Sequence, residues 1–263
     1  MARNKQPIKV EINNVKKVFD SRQGEVVALN GIDLNIYENE FITVVGPSGC
    51  GKSTLLNILS GLDKPSSGKV FCDNKEITGT GTERGVVFQE YALFPWLTVK
   101  GNVKFGLKLQ GIKGKEAEEI AEKYIRLVDL EDFTNHYPKE LSGGMKQRVA
   151  IARAYAANPS VLLMDEPFGA LDAQTRTQLQ EELLHTWDTE KKTCFFITHD
   201  VEEAILLGQR VLIMSARPGR IKELVDINIP YPRDQKTKMT EEFLEVKNYI
   251  WNLVYQEYLE VKK

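Results

Sequence analysis

The chain has 263 residues, enough for one large domain or two small ones with a sizeable core. Its 35 Lys and Arg against 37 Asp and Glu give a formal charge of -2, which disfavours a nucleic-acid binder, since such a protein more often carries a basic excess. Cys50, Cys72 and Cys194 are scattered and form no CxxC pair, pointing to a reducing, cytosolic setting; with no leader pattern and no apolar run near the ~20 residues that span a bilayer, work at a membrane would need a docking partner.

Ile8, Val10 and Ile12 alternate with Lys9, Glu11 and Asn13, which predicts a strand. A turn at Gly24 leads to a second stranded stretch over 26–36. Phe41–Val45 is a short apolar run that ends in a glycine-rich loop, and leucines at helical spacing follow over 53–62. Pro65-Ser66-Ser67-Gly68 marks a turn before short strands to about Ile77. A strand is expected at 85–88. From about 99 to 157 the pattern is helical, with an apolar stripe of Ala117, Ile120, Ala121, Tyr124, Leu127 and Val128. Strands at 161–164, 194–198 and 211–214 then alternate with helices at 173–187 and 201–207, the pattern of a mainly parallel, buried sheet. Phe243, Val246, Ile250, Leu253 and Glu257 recur at near-heptad spacing. They predict a terminal helix that packs on its own domain or on a second copy.

Gly46-Pro47-Ser48-Gly49-Cys50-Gly51-Lys52-Ser53 fits G-x-x-x-x-G-K-[ST] between a predicted strand and a predicted helix. Its glycines let backbone N–H groups wrap phosphates, and the helix N-terminus that follows adds positive potential. Lys52 would reach the β- and γ-phosphates, and the Ser53 hydroxyl would ligate Mg²⁺. With Thr54 these residues make the candidate ATP-binding loop. Val161-Leu162-Leu163-Met164-Asp165-Glu166 is an apolar strand ending in two acids. Asp165 can hold the Mg²⁺ shell and Glu166 can act as general base on the attacking water; by itself the segment reads better as a strand running into an acidic helix cap, and pairing with the phosphate loop reverses that order. A thiol at Cys50 is either acidified by the helix N-terminus or a small filler.

Leu141-Ser142-Gly143-Gly144-Met145, followed by Lys146-Gln147-Arg148, resembles the signature of the ABC ATPases. Ser-Gly-Gly at a helix start offers a hydroxyl and free N–H groups to a phosphate, and also makes an ordinary N-cap. The order decides for the family: phosphate loop, signature, acidic strand, Gly169-Ala170-Leu171-Asp172, and His199 after a strand. The resemblance implies a P-loop NTPase core of α/β class with a mainly parallel sheet, a peripheral antiparallel β region and an inserted α-helical subdomain. It spans 7–227, with the helical subdomain at about 91–157 and a C-terminal extension over 228–263. It implies ATP and Mg²⁺ as cofactors and a two-chain sandwich, as homodimer or heterodimer. In that sandwich Ser142, Gly143, Gly144 and Asp172 meet ATP held by the other chain. Gln89 matches the family glutamine that contacts metal and water, and His199 the histidine that senses the γ-phosphate. Phe19 falls where an aromatic stacks on adenine; plain core packing is its other reading. Met145 and Gly169 depart from the commoner glutamine and serine.

All catalytic positions are filled, which speaks against a pseudo-ATPase. A soluble, non-transport ABC ATPase is the alternative, but such chains usually carry two cassettes or long insertions. Transport is favoured by Tyr91-Ala92-Leu93-Phe94-Pro95-Trp96-Leu97. That run is either core or the groove where a helix of a separate transmembrane permease docks. Phe94-Pro95-Trp96-Leu97-Thr98-Val99, the Met145 variant and Ala216-Arg217-Pro218-Gly219-Arg220-Ile221 resemble the nitrate/sulfonate/taurine importers; Arg217 to Arg220 also reads as a bare β-turn. Import of another small solute is the neighbouring alternative. The implied setting is peripheral, on the cytoplasmic face of the membrane, with an extracytoplasmic solute-binding protein as an indirect partner.

Overall fold

The computed structural model describes residues 6–21, 24–169 and 171–261. In chain order the elements are β1 (Ile8–Ser21), β2 (Gly24–Tyr37), β3 (Phe41–Val45), α1 (Lys52–Ser60), β4 (Ser67–Cys72), β5 (Lys75–Glu76) and β6 (Arg84–Val87). They continue with α2 (Val99–Leu109), α3 (Gly114–Leu127), α4 (Gly143–Ala156), β7 (Val161–Asp165) and α5 (Ala173–Glu190). The last are β8 (Thr193–Ile197), α6 (Val201–Leu207), β9 (Arg210–Ser215), β10 (Arg220–Asp226) and α7 (Glu241–Val261). The chain divides into two compact units, residues 1–81 with 192–263, and residues 82–191.

In the first unit β3 lies between β8 and β9 and runs parallel to both. Every residue of β3 and β8 is buried, as expected of a strand covered on both faces. An antiparallel layer in the order β2-β1-β4-β5 makes the second sheet of this unit. Its β1 runs to Ser21, well beyond the alternating segment that announces it. Asn14 sits at φ 46 and the β1–β2 register shifts between Ile12 and Val15. A bulge of this kind breaks the period of two, so alternation read along the sequence stops where the strand does not. Gly24, expected in a turn, opens β2 opposite Ser21. The turn at 216–219 leads into β10, antiparallel to β9, a strand that the turn chemistry alone does not foretell.

The terminal helix packs on its own unit. Phe243 and Ile250 of α7 are fully buried in one cluster with Val45, Val201, Ile205 and Ile213, and Val246 and Leu253 pack against it. Arg233 fastens the approach to α7: it donates to the carbonyls of Ile229, Ile205 and Gly208 at 2.7, 2.6 and 2.7 Å. These carbonyls belong to chain ends that strand and helix ladders leave unpaired.

In the second unit β6 and β7 pair in parallel, Val87 opposite Met164. The helices α2, α3 and α4 follow β6 in sequence and precede β7. Ala117, Ala121 and Tyr124 of the predicted stripe are buried, together with Ile125.

Candidate functional site

In the first unit β3 ends at Val45 and the chain turns into the phosphate loop. Gly51 has φ 92, a left-handed conformation in which a Cβ would also meet Leu29 Cδ2 at 2.6 Å. A Cβ on Gly46 would meet the Met214 carbonyl at 2.6 Å. Gly51 is therefore required by its left-handed conformation and Gly46 by the close approach of backbone. Lys52 opens α1 and is buried; its Nζ donates to the Gly46 and Pro47 carbonyls at 2.8 and 3.2 Å. Ser53 and Thr54 follow in the first turn of α1, where backbone N–H groups have no partner within the helix. His199 is exposed. Val44 pairs with Ile197, so Gly46 and His199, each two residues further on, share the carboxyl edge of adjacent parallel strands. Ligands of open α/β sheets bind at such edges.

The second unit repeats this arrangement. Gln89 and Glu166 each stand two residues beyond the Val87–Met164 pair. The Cβ position of Gly169 lies 3.6 Å from Gln89 Nε2 and 3.7 Å from a Glu166 carboxylate oxygen. Gly169 thus brings the two side chains around one backbone point, and it donates to the Glu166 carbonyl at 3.1 Å. Glu166 itself has φ 43, a left-handed backbone that costs energy for a side chain with a Cβ and persists only where its surroundings hold it. Asp165, one residue earlier, closes β7.

Ser142 is the N-cap of α4, and its Oγ accepts from Met145 N at 3.3 Å. The oxygen is the acceptor, so the hydroxyl proton remains available to a ligand. A Cβ on Gly144 would meet Thr175 Cγ2 at 2.5 Å, and one on Gly143 would meet the Tyr91 Oη at 3.1 Å. Asp172 is the N-cap of α5 and accepts from Gln174 N and Thr175 N at 3.1 and 3.0 Å. The bonds to Thr175 foremost hold its carboxyl below the usual range. Both the N-cap reading of Ser142 and its exposure to solvent therefore hold at once.

The family description "ABC transporter" matches residues 29–169. The chain belongs to the ABC transporter ATP-binding family. An uncharacterized ABC transporter ATP-binding protein of Methanocaldococcus jannaschii is 54% identical over 261 residues, covering 99% of this chain and 97% of that protein. The nitrate import ATP-binding protein NrtD of Synechocystis is 49% identical, covering 93% of this chain and 94% of NrtD. The aliphatic sulfonates import ATP-binding protein SsuB of Bacillus cereus is 47% identical, covering 92% and 94%. Among solved structures, the dimeric post-hydrolysis state of the cassette MJ0796 bound to ADP and Pi superposes with a TM-score of 0.76 at 35% identity, covering 84% of this chain and all of that one. The fold is that of an ABC ATPase, and the chain is an ATP-binding ATP hydrolase.

The Phe19 side chain is exposed, at 41%, under the Lys17 ammonium at 4.8 Å, so it is not core. Met145 stands where glutamine is common, but its part in the cap is played by backbone N–H, which the side chain does not alter. Burial pushes the Cys50 thiol up, and the opposing pull of Lys52 is smaller; Cys50 is a protonated filler, not an acidified nucleophile. Among the described residues no three His, Cys, Asp or Glu side chains gather as a metal cage. A Mg²⁺ that arrives on nucleotide phosphates needs only one or two protein oxygens, and the Ser53 hydroxyl and Asp165 carboxylate are hard donors of the right kind.

The run after Gln89 is not core either. Trp96 is 71% exposed and forms one wall of a groove of about 610 Å³ with Leu97, Phe105 and Ile112. Lysines rim it: Lys100 and Lys104 pair with Glu118, while Lys108 and Lys113 carry no ion pair among the described residues. Sequence reading passed over these lysines, although Lys100, Lys104 and Lys108 recur every fourth residue along α2. It also passed over Arg153 of α4, which donates to the Tyr91 and Ala92 carbonyls at 3.0 and 2.5 Å.

Proposed function

We propose that this chain is the ATPase subunit of an importer for nitrate-, sulfonate- or taurine-type anions, working as a two-chain sandwich on the cytoplasmic face of the membrane. The relatives named for nitrate and for aliphatic sulfonate import, at 49% and 47% identity over nearly the whole chain, support the substrate class. Each ATP would take Lys52, Ser53, Gln89, Asp165, Glu166 and His199 from one chain, and Ser142, Gly144 and Asp172 from the other. Phe19 would stack on adenine. Mg²⁺ would accompany the nucleotide on Ser53 and Asp165, with Gln89 beside them, and would neutralise phosphate charge as the terminal bond breaks.

The observation that carries transport is the groove at Trp96. An exposed tryptophan beside an apolar cleft suits a helix-in-groove contact with a permease. The unpaired Lys108 and Lys113 favour a docking segment that carries carboxylates. A central aromatic anchor contributes ~2 kcal/mol or more to such a contact, about thirtyfold in affinity. Trp96→Glu is therefore expected to abolish co-purification with the permease and solute uptake, with melting temperature and basal hydrolysis unchanged. Uptake at the normal rate by the folded variant would remove this surface from the mechanism.

A further inference from the structure

Tyr91 and Ala92 follow Gln89 and both adopt positive φ, 56° and 46°. Two successive left-handed residues with side chains form a strained turn, which persists only where surrounding contacts over-determine it. Those contacts come from α4, the helix that Ser142 caps. The two arms of the Arg153 guanidinium reach the Tyr91 and Ala92 carbonyls at 3.0 and 2.5 Å. The same guanidinium stacks over the Phe94 ring at 5.8 Å, and Phe94 in turn packs on Phe105 and Trp96 at 4.2 and 5.6 Å. At the opposite end of α4 the Tyr91 hydroxyl lies 3.1 Å from where a Cβ on Gly143 would be. Tyr91 thus touches the helix twice, by its carbonyl at Arg153 and by its phenol at the signature glycine.

We propose that Arg153 is a positioning residue for ATP hydrolysis: by clamping the Tyr91–Ala92 turn it seats the Tyr91 phenol against Gly143 and sets the start of the signature helix. This rests on the reading that Ser142 and Gly144 meet the nucleotide of the second chain. Lysine cannot replace the arginine, because a single ammonium does not reproduce a planar two-armed donor. The signature acts after ATP has bound in the phosphate loop, so its misplacement falls on turnover and not on nucleotide binding.

The test uses the full-length chain with Arg153→Lys, Tyr91→Ala and the double variant. Melting temperature, ATP affinity and the hydrolysis rate per nucleotide-binding chain are measured for each. Each single variant is expected to keep the ATP dissociation constant within about twofold and to lose at least about tenfold in kcat. The double is expected to be no slower than the slower single, since both changes cut one path. A merely structural role lowers the fraction of chains that bind nucleotide and leaves kcat per binding chain unchanged; that result overturns the proposal. Losses that multiply in the double overturn it as well. If Arg153→Lys does not fold, the kcat of Tyr91→Ala decides alone. The underlying reading fails separately, by full hydrolysis in a Ser142→Arg variant.

Discussion

Glu166→Gln is expected to bind ATP with unchanged affinity and to hydrolyse it at least about a hundredfold more slowly, the contribution typical of a positioned general base. The carboxylate leaves the end of β7 on a left-handed backbone at φ 43. That bend aims it toward the space shared with Gln89 around Gly169. An amide has the same shape as the carboxylate but cannot take the proton from water, so the phosphate loop is untouched while the chemical step stops. The variant should accumulate as an ATP-bound pair, visible as a nucleotide-dependent dimer on gel filtration. Lys52→Ala gives the opposite pattern. Its ammonium sits inside the loop against the Gly46 and Pro47 carbonyls, and its loss weakens nucleotide binding itself. Hydrolysis near the normal rate by purified Glu166→Gln would show that another group is the base.

The parts of this site that can be read along the chain share one physical property: their signal is local. Phe41–Val45 and Val161–Met164 are short, largely apolar runs because their strands are covered on both faces, and the second runs into the acids Asp165 and Glu166. The phosphate loop is legible because its three glycines, Lys52 and Ser53 fall within eight consecutive residues, so the spacing is itself the signal. The features that escape are those set by partners distant in the chain. Nothing near Arg153 tells that it holds carbonyls 62 and 61 residues away. Nothing in Glu166 announces a left-handed backbone. Whether Phe19 and Trp96 are core or surface is likewise decided by which face their neighbours cover, and both side chains prove exposed. The bulge at Asn14 hides half of β1 in the same way, since the residues on either side remain strand-like but change face.

Ser142→Arg should abolish hydrolysis alone and restore part of it when mixed with Lys52→Ala. The serine is exposed and caps α4 through a bond to Met145 N, so its replacement costs the fold about 1 kcal/mol. The loss in turnover should be far larger. A hydroxyl and N–H groups directed at developing phosphate charge contribute ~10²–10³-fold where such donors have been removed, and a bulky side chain also blocks closure of the sandwich. Each variant by itself therefore leaves two broken sites per pair. In a mixed pair, the intact phosphate loop of the Ser142→Arg chain faces the intact signature of the Lys52→Ala chain, so one site is whole and the other doubly broken. Hydrolysis above the sum of the two separate preparations is the expected outcome, measured after the variants are exchanged without nucleotide and then given ATP and Mg²⁺. The wild-type rate per chain should also rise with protein concentration, because the active form has two chains. A rate per chain independent of concentration, with no recovery on mixing, would place the whole site in a single chain and leave Ser142 as a helix cap alone.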